Sequence, residues 1–569
     1  EARLWRGLIA MGPSQRLEFS QAVHESEGRT RIRVGYRALD GLAAEGLFFR
    51  LSLPWIDFKG GTAVLGTQSI LLPEDGLDGA NLQSGKASEL AARACSGALW
   101  WRARFSRPVY VNLQDKTGEM PKSFTYWLYI HRGNMAAGAE GSLEMELAIG
   151  GVPDFRPALL TVDAPTSRYR FDGFGGNYCF QIESPVTEYT LENLRSRWAR
   201  TEMSLVDWAP ENQGSPLAAA GSDRPGSRLR HEFELMQRIQ RKGIPYIASV
   251  WRLPEWMQAD RGTKGPNDLQ RRLDPLFWDR LLETVGSYLL YARERYGAEP
   301  DLFSFNEPDL GVRILLSATE HRDAIGRIGA HLESLGLKTK MLLGDVSHPR
   351  GTHHYVLEAA SDPEAMRYVG AVSFHSWGGA SRRQYEAWAD LAGRLNLPLL
   401  IAELGADPSA WQGRSYDSYW YGLEELRLYQ ELLLYARPRA MIYWEFTSDY
   451  SLARLDGEEI IPDGRFWFIK HFTDLTPAGS EALAVTSDHR NVLLSAFRKG
   501  QEFAVHIANL AGARSVRITG LPAGAWPWQA VLTTEQEGFR PLDPMRPENG
   551  CLEIELPARC LLTLALRGE

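Results

Sequence analysis

The residues in this 569-residue chain best suited to acid–base chemistry are two glutamates, each delivered by a short apolar run. In Asp301-Leu-Phe-Ser-Phe-Asn-Glu-Pro-Asp309 an apolar strand ends in an amide, Asn306, and a carboxylate, Glu307, before Pro308 stops it. In Pro398-Leu-Leu-Ile-Ala-Glu-Leu-Gly405 a second apolar strand ends in Glu403. The C-terminal end of a strand is where parallel barrels keep their catalytic groups. Two carboxylates on nearly opposite strands can flank one bond, one giving a proton to the leaving oxygen and the other attacking or activating water. A glycosidic bond is broken by that arrangement. Asn-Glu-Pro alone is as good a turn as a site; the second glutamate separates the two readings.

Such a pair needs a barrel to position it, and the middle of the chain predicts one. Eight strands are expected at Tyr169 to Phe174, Thr201 to Asp207, Ile244 to Val250, Leu302 to Asn306, Met341 to Asp345, Ala371 to His375, Leu399 to Glu403 and Ala440 to Phe446. Between them run amphipathic segments such as Arg228 to Gly243 and Pro275 to Tyr296, with apolar residues three and four apart. Alternating β and α signals over about 300 residues predict one closed (β/α)8 TIM barrel. Glu307 then lies just past the fourth strand and Glu403 at the end of the seventh.

Outside this stretch the pattern is β. Arg29 to Tyr36, Val109 to Leu113, Phe124 to Ile130 and Leu143 to Ile149 are short runs between turn residues, which predicts an N-terminal β-sandwich over residues 1–157. The barrel is assigned to 158–476, and its last helix, Arg465 to Phe472, should pack its aromatic residues on the barrel's outside. Asn491 to Phe497, Glu502 to Asn509, Ser515 to Thr519, Gln529 to Leu532 and Cys551 to Leu566 predict a C-terminal β-sandwich over 477–569. The whole is a multidomain chain, α/β in the middle and all-β at both ends.

Composition narrows the partners. With 63 Lys plus Arg against 71 Asp plus Glu, the net charge of −8 and the lack of a basic run exclude a nucleic-acid partner. No apolar run reaches the roughly 18 residues that a membrane helix needs, so no membrane partner is expected. A chain starting at Glu1 fits a removed secretory leader or a trimmed terminus; a secreted or periplasmic protein is the expectation. Cys95, Cys179, Cys551 and Cys560 lack metal spacing and are read as free thiols, a Cys551–Cys560 bridge being the exception to watch.

Other residues fall on the predicted rim. Trp251, Trp377 and Trp444 end strands three, six and eight, where indoles either stack on sugar rings or pack the core. His375 ends strand six and is read as a hydrogen-bond partner of a carboxylate or a sugar hydroxyl, with a structural histidine as the alternative. Arg252 follows strand three, placed to hold the nucleophile ionised, to face substrate or to cap a helix. Glu445 on strand eight ranks below Glu403, because strand alternation turns it away if Trp444 faces the site. His348, His353 and His354 with Asp345 could be read as metal ligands, but their spacing matches no closed zinc motif and a substrate-binding loop is preferred. No metal and no cofactor is therefore expected.

Asn306-Glu307-Pro308 on strand four with Glu403 on strand seven resembles the retaining glycoside hydrolases of clan A. Phe171-Asp-Gly-Phe-Gly-Gly176 at the barrel's opening, with a β-domain closing the chain, is most similar to glycoside hydrolase family 30. The resemblance covers the chain from about Tyr169 to its end. It implies Glu307 as acid/base, Glu403 as nucleophile and Asn306 as donor to the sugar 2-hydroxyl. The implied activity is hydrolysis of β-linked oligo- or polysaccharides, of β-glucan or β-xylan type, through a covalent glycosyl-enzyme. A β-glucuronidase, β-xylosidase or endo-glucanase activity, and a barrel that binds carbohydrate without cleaving it, stay open. Two features depart from the family: the predicted second strand, Thr201 to Asp207, carries no arginine near its end, and the N-terminal sandwich is an unusual addition.

Overall fold

The computed structural model describes residues 2–567 apart from 13, 27, 78, 153, 213–220, 260–268 and 523–525. Two compact units divide the chain, Glu1–Phe155 and Arg156–Glu569.

The first unit is antiparallel β. Its strands hydrogen-bond into one ten-stranded network, where two separate sheets of a sandwich were expected. The cause is the 18-residue strand Leu99–Lys116, which two neighbours share. Its first half pairs with Glu140–Gly151 and its second with Ser123–Arg132. The switch falls between Phe105 and Val111, at Pro108, which has no N–H to give to a ladder. On both sides of the switch alternate residues are buried, Trp101, Ala103 and Phe105, then Val109, Val111 and Leu113, and they share one core.

The second unit contains the barrel. Eight parallel strands close it: Gly173–Tyr178, Ala199–Glu202, Tyr246–Val250, Leu302–Phe305, Lys340–Val346, Val369–His375, Leu399–Leu404 and Ala440–Tyr443. Six overlap their predicted spans closely and two move. The run expected as strand one is really the end of Ala158–Phe171, which leaves the barrel for the C-terminal sheet, and the barrel strand begins two residues later. That strand is glycine-rich because it is crowded. A Cβ on Gly175 would sit 1.8 Å from the Trp198 carbonyl oxygen, and one on Gly176 would sit 2.1 Å from the Phe446 ring. Strand two ends at Glu202, and Asp207 belongs to the helical turn Leu205–Trp208.

Inside the barrel the strand period of two stacks an apolar layer under a polar one. Ile247, Leu302, Leu342, Ala371, Leu400, Ala402, Ala440 and Ile442 form the buried apolar floor. Two residues further along, Ile247 gives way to Ser249, Leu302 to Ser304 and then Asn306, and Ala371 to Ser373 and then His375, all buried.

The C-terminal sheet has nine strands, and Ala158–Phe171 lies within it between Ser480–Ser487 and Arg514–Thr519. The predicted strand Cys551 to Leu566 is two strands with different neighbours, Cys551–Leu556 beside Arg514–Thr519 and Cys560–Leu566 between Glu502–Asn509 and Trp528–Thr533. Their cysteines are therefore apart, and both are free thiols. The helix Gly464–Leu475 joins barrel and sheet: Phe472 stacks on Phe174 of strand one at 4.5 Å and on His506 of the sheet at 4.4 Å. Its aromatic face thus meets two partners, where only the barrel was expected.

Candidate active site

Glu307 leaves strand four in a left-handed conformation, φ 42°, its N–H held by the Asp345 carbonyl at 3.1 Å. Asp345 itself has φ 55°. Left-handed backbone costs such residues roughly 1–2 kcal/mol each, and both turns aim carboxylates into the polar layer. Glu403, on strand seven, reaches the same point from the other side.

His375 stands between them. Its Nδ1 is 2.9 Å from Glu307 Oε1 and 3.1 Å from Glu403 Oε2, and its Nε2 is 2.9 Å from Asp345 Oδ1. Burial alone would hold the imidazole neutral, but the charges of Glu403 and Asp345, and its hydrogen bonds to Asp345 and Glu307, raise its pKa well above the ordinary value. As an imidazolium it donates from both nitrogens. Asp345 is held low despite burial by Arg200 and His375, with Ser304 Oγ donating at 2.8 Å.

Arg200, fully buried on strand two, ties the cluster together. One terminal nitrogen donates to Glu403 Oε1 at 2.8 Å and Asn177 Oδ1 at 3.1 Å, the other to Asn306 Oδ1 at 2.6 Å and Asp345 Oδ2 at 3.0 Å. Trp377 completes the ring around Glu403, its indole N–H donating to Oε2 at 3.0 Å. It lies flat over Gly405, where a Cβ would be 2.3 Å from the indole. Arg200 and Trp377 thus donate to Glu403, and the imidazolium charge lies 3.1 Å from it.

Glu307 is set apart by its surroundings. Burial, and to a smaller extent the charge of Glu403, push its carboxyl up to about 7 against the opposing pull of His375. The facing ligand atoms of Glu307, His375 and Glu403 all lie within 4.8 Å of one another. One oxygen of each carboxyl is therefore nearer its counterpart than the roughly 6.5–9.5 Å that makes room for a water, and fits pairs that act without one, roughly 5–5.5 Å apart. The same three groups are the donor set that an ion would find among the described residues, with the Arg200 and His375 charges already set against the carboxylates.

Asn306 gives its oxygen to Arg200, which leaves its buried amide Nδ2 without a partner among the described residues. Trp251 Nε1 and Arg200 Nε are in the same condition. Buried donors are nearly always paired, so these mark where a polar ligand would sit. Trp251 and Trp444 pack against each other at 5.3 Å and against Phe180, and share a cluster with Trp377 and Tyr450.

One placement differs from the sequence expectations. Arg252 is exposed and adds its charge near Glu202; the guanidinium on Glu403 is Arg200, a residue the predicted second strand excluded by starting one position late. An arginine thus does lie on the second strand. Asp345 points into the barrel at Arg200 and His375, so it forms no ligand cluster with His348, His353 and His354, which lie on the loop beyond. Glu445 is buried and accepts from the backbone N–H groups of Cys179 and Phe180, at 3.0 and 3.4 Å, pointing to the first loop. Asn177 was also missed: its amide donates to the Ala402, Ile442 and Tyr443 carbonyls and fixes the strand ends beneath Arg200.

No family model matches this sequence, and no curated protein matches it. Solved structures do. A family 30 endoxylanase from Clostridium papyrosolvens is 16% identical, with a TM-score of 0.58 over 71% of this chain and 99% of that one. The fold is that of the family 30 glycoside hydrolases. A family 30 subfamily 8 xylanase from Clostridium acetobutylicum is likewise 16% identical, with a TM-score of 0.59 over 71% of this chain and 98% of its own. An endo-β1,6-glucanase is 15% identical, with a TM-score of 0.51 over 74% and 96%. At such identities the likeness is one of fold, and the family 30 fold accounts for the barrel together with its β-domain.

Proposed function

We propose that this protein hydrolyses β-linked xylan or glucan with retention of configuration, Glu403 being the nucleophile and Glu307 the acid/base. One observation carries the reading: two strand-end carboxyls within 4.8 Å share one face of His375, yet their surroundings differ. Two donors and the nearby His375 charge point at Glu403, while burial keeps a proton on Glu307 up to about pH 7. One group is prepared to attack and the other to protonate.

The steps follow from these contacts. Glu307 gives its proton to the glycosidic oxygen as that bond breaks, and Glu403 forms the new bond to the anomeric carbon. Arg200, Trp377 and His375 hold the attacking oxygens in place. Esterification removes the negative charge of Glu403, one of the influences that raises Glu307, so the acid/base becomes more acidic once the intermediate has formed. It then takes a proton from a water whose oxygen bonds to the anomeric carbon, which breaks the bond to Glu403 and frees the carboxylate. The unpartnered amide of Asn306 is positioned to donate to a sugar hydroxyl throughout.

The choice of xylan or glucan rests on the activities of the structural neighbours, an endoxylanase and an endo-β1,6-glucanase among them. The test is a panel of β-1,4-xylan and β-1,3-, β-1,4- and β-1,6-glucans with product sizing, and proton NMR of the first-formed anomer. Release of the β-anomer first is expected; release of the α-anomer first contradicts the mechanism, and no turnover on any β-glycoside contradicts the function. In the same assay kcat/KM should fall as pH rises through about 7, where Glu307 loses its proton. A flat alkaline side would remove Glu307 from the role.

A further inference from the structure

A concavity opens at the C-terminal end of barrel strand one. It lies between the loop leaving barrel strand one and the first turn of the helix Arg228–Arg241, and its volume is about 320 Å³. Small-molecule sites begin at roughly that size. Its floor is apolar, Cys179, Phe180 and Ile182; its walls carry Gln181, Glu183, Arg228 and His231.

Two features say what fits. Phe180 is a shared wall: its ring stands edge-on to Trp251 at 5.0 Å and to Trp444 at 5.8 Å, so the concavity is separated from the aromatic cluster around Glu403 by one side chain. The charge of Arg228 is already engaged, by Glu202 at 2.5 Å, Glu232 at 3.0 Å and Asp207 at 3.8 Å. An anionic group would find no free cation on this wall. What remains is an apolar floor under hydrogen-bonding groups and the Glu183 carboxylate, which would accept from hydroxyls and repel an anion; that matches the apolar face and hydroxyl rim of an uncharged sugar ring.

We propose that this concavity binds an uncharged sugar ring of the same glycan, flanking the ring held at Glu307 and Glu403, with His231 donating to or accepting from its hydroxyls. The proposal rests on the glycan-cleaving reading of the site. It makes the protein prefer chains over single sugars, and neutral chains over uronate-bearing ones at this position.

His231 is half-buried on a helix surface and lies outside the catalytic cluster, so both His231→Ala and the space-filling His231→Trp should fold, which their melting temperatures check. Each is assayed on aryl β-glycosides carrying one, two and three sugars of the β-1,4-xylo and of the β-1,3-, β-1,4- and β-1,6-gluco series. On the one-sugar substrates both variants should match the wild type. On the longest substrates kcat/KM should fall about fivefold for His231→Ala, the worth of one hydrogen bond, and further for His231→Trp. Unchanged rates on long substrates, or an equal loss at every length, would overturn the proposal. If the wild type turns over no glycoside at all, the proposed function fails and the concavity is read separately, by calorimetry with the unlabelled oligosaccharides. Binding abolished by His231→Trp then supports it, and absent or unaffected binding overturns it.

Discussion

Two clusters in the second unit bury an arginine against glutamate and differ in what they leave over. At the strand tops, Arg200 is wholly buried with Glu403, Asp345 and Asn306, and Arg200 Nε, Asn306 Nδ2 and the nearby Trp251 Nε1 stay unpartnered. Outside the barrel wall, Arg465 is as deeply buried near Glu425, but among the described residues neither of these two side chains has an unpartnered polar atom. Glu425 accepts from the hydroxyls of Tyr429 and Tyr443, while Arg465 donates to Tyr443, Asp463 and the Ser451 carbonyl. Burial raises the pKa of both glutamates that face these clusters, Glu307 and Glu425 each to about 7. A displaced pKa therefore does not distinguish a working carboxyl from a structural one. Unspent donors beside a second carboxylate do.

The sharpest way to break this comparison is Glu403→Gln, which should lower turnover by on the order of 10⁴-fold or more while the fold survives, as removal of a nucleophile does. Residual activity within tenfold of wild type would return Glu403 to the structural class. Next comes Asn306→Ala. Its unpartnered amide should be worth about 10²-fold in kcat if it meets a hydroxyl in the transition state; an effect on melting alone would make it a strut for Arg200. Gly405→Ala is a smaller perturbation. The added Cβ must push Trp377 off its seat and lengthen its bond to Glu403, for which a loss of about tenfold is expected, since misplacement by an ångström can cost about 10²-fold. The least effect on catalysis belongs to Glu425→Ala. Assayed below its melting point it should keep wild-type kcat/KM, but leave two buried tyrosine hydroxyls without their acceptor and lose about 3 kcal/mol in urea unfolding.

Sequence reasoning located this site through its carboxylates and lost part of its scaffold. Glu307 and Glu403 were legible because each ends an apolar run. Arg200 was not, because Ala199-Arg-Thr-Glu202 is a strand with no apolar period; its residues are buried by neighbours that only the closed barrel supplies. The useful signal was an arginine beside Trp198 and Ala199, directly ahead of the assigned strand. The partner of Asp345 was not legible either, since the histidines near it in sequence lie on the loop while His375, thirty residues on, faces it. The first barrel strand was misplaced for a similar reason: glycines chosen for backbone crowding against Trp198 and Phe446 leave no hydrophobic pattern to read. In the β regions strand positions were legible and their partners were not, as the shared strand Leu99–Lys116 and the capture of Ala158–Phe171 by the C-terminal sheet both illustrate.

The most direct test of the central claim is to trap the covalent intermediate. The protein is incubated with 2-deoxy-2-fluoro β-glycosides that carry a good leaving group, in the xylo and gluco series, then digested, and the added mass is located by peptide sequencing. The account predicts a single label on Glu403, formed as activity is lost and released as it returns. A label on Glu307 or Glu445, or loss of activity with no labelled carboxylate, would contradict it.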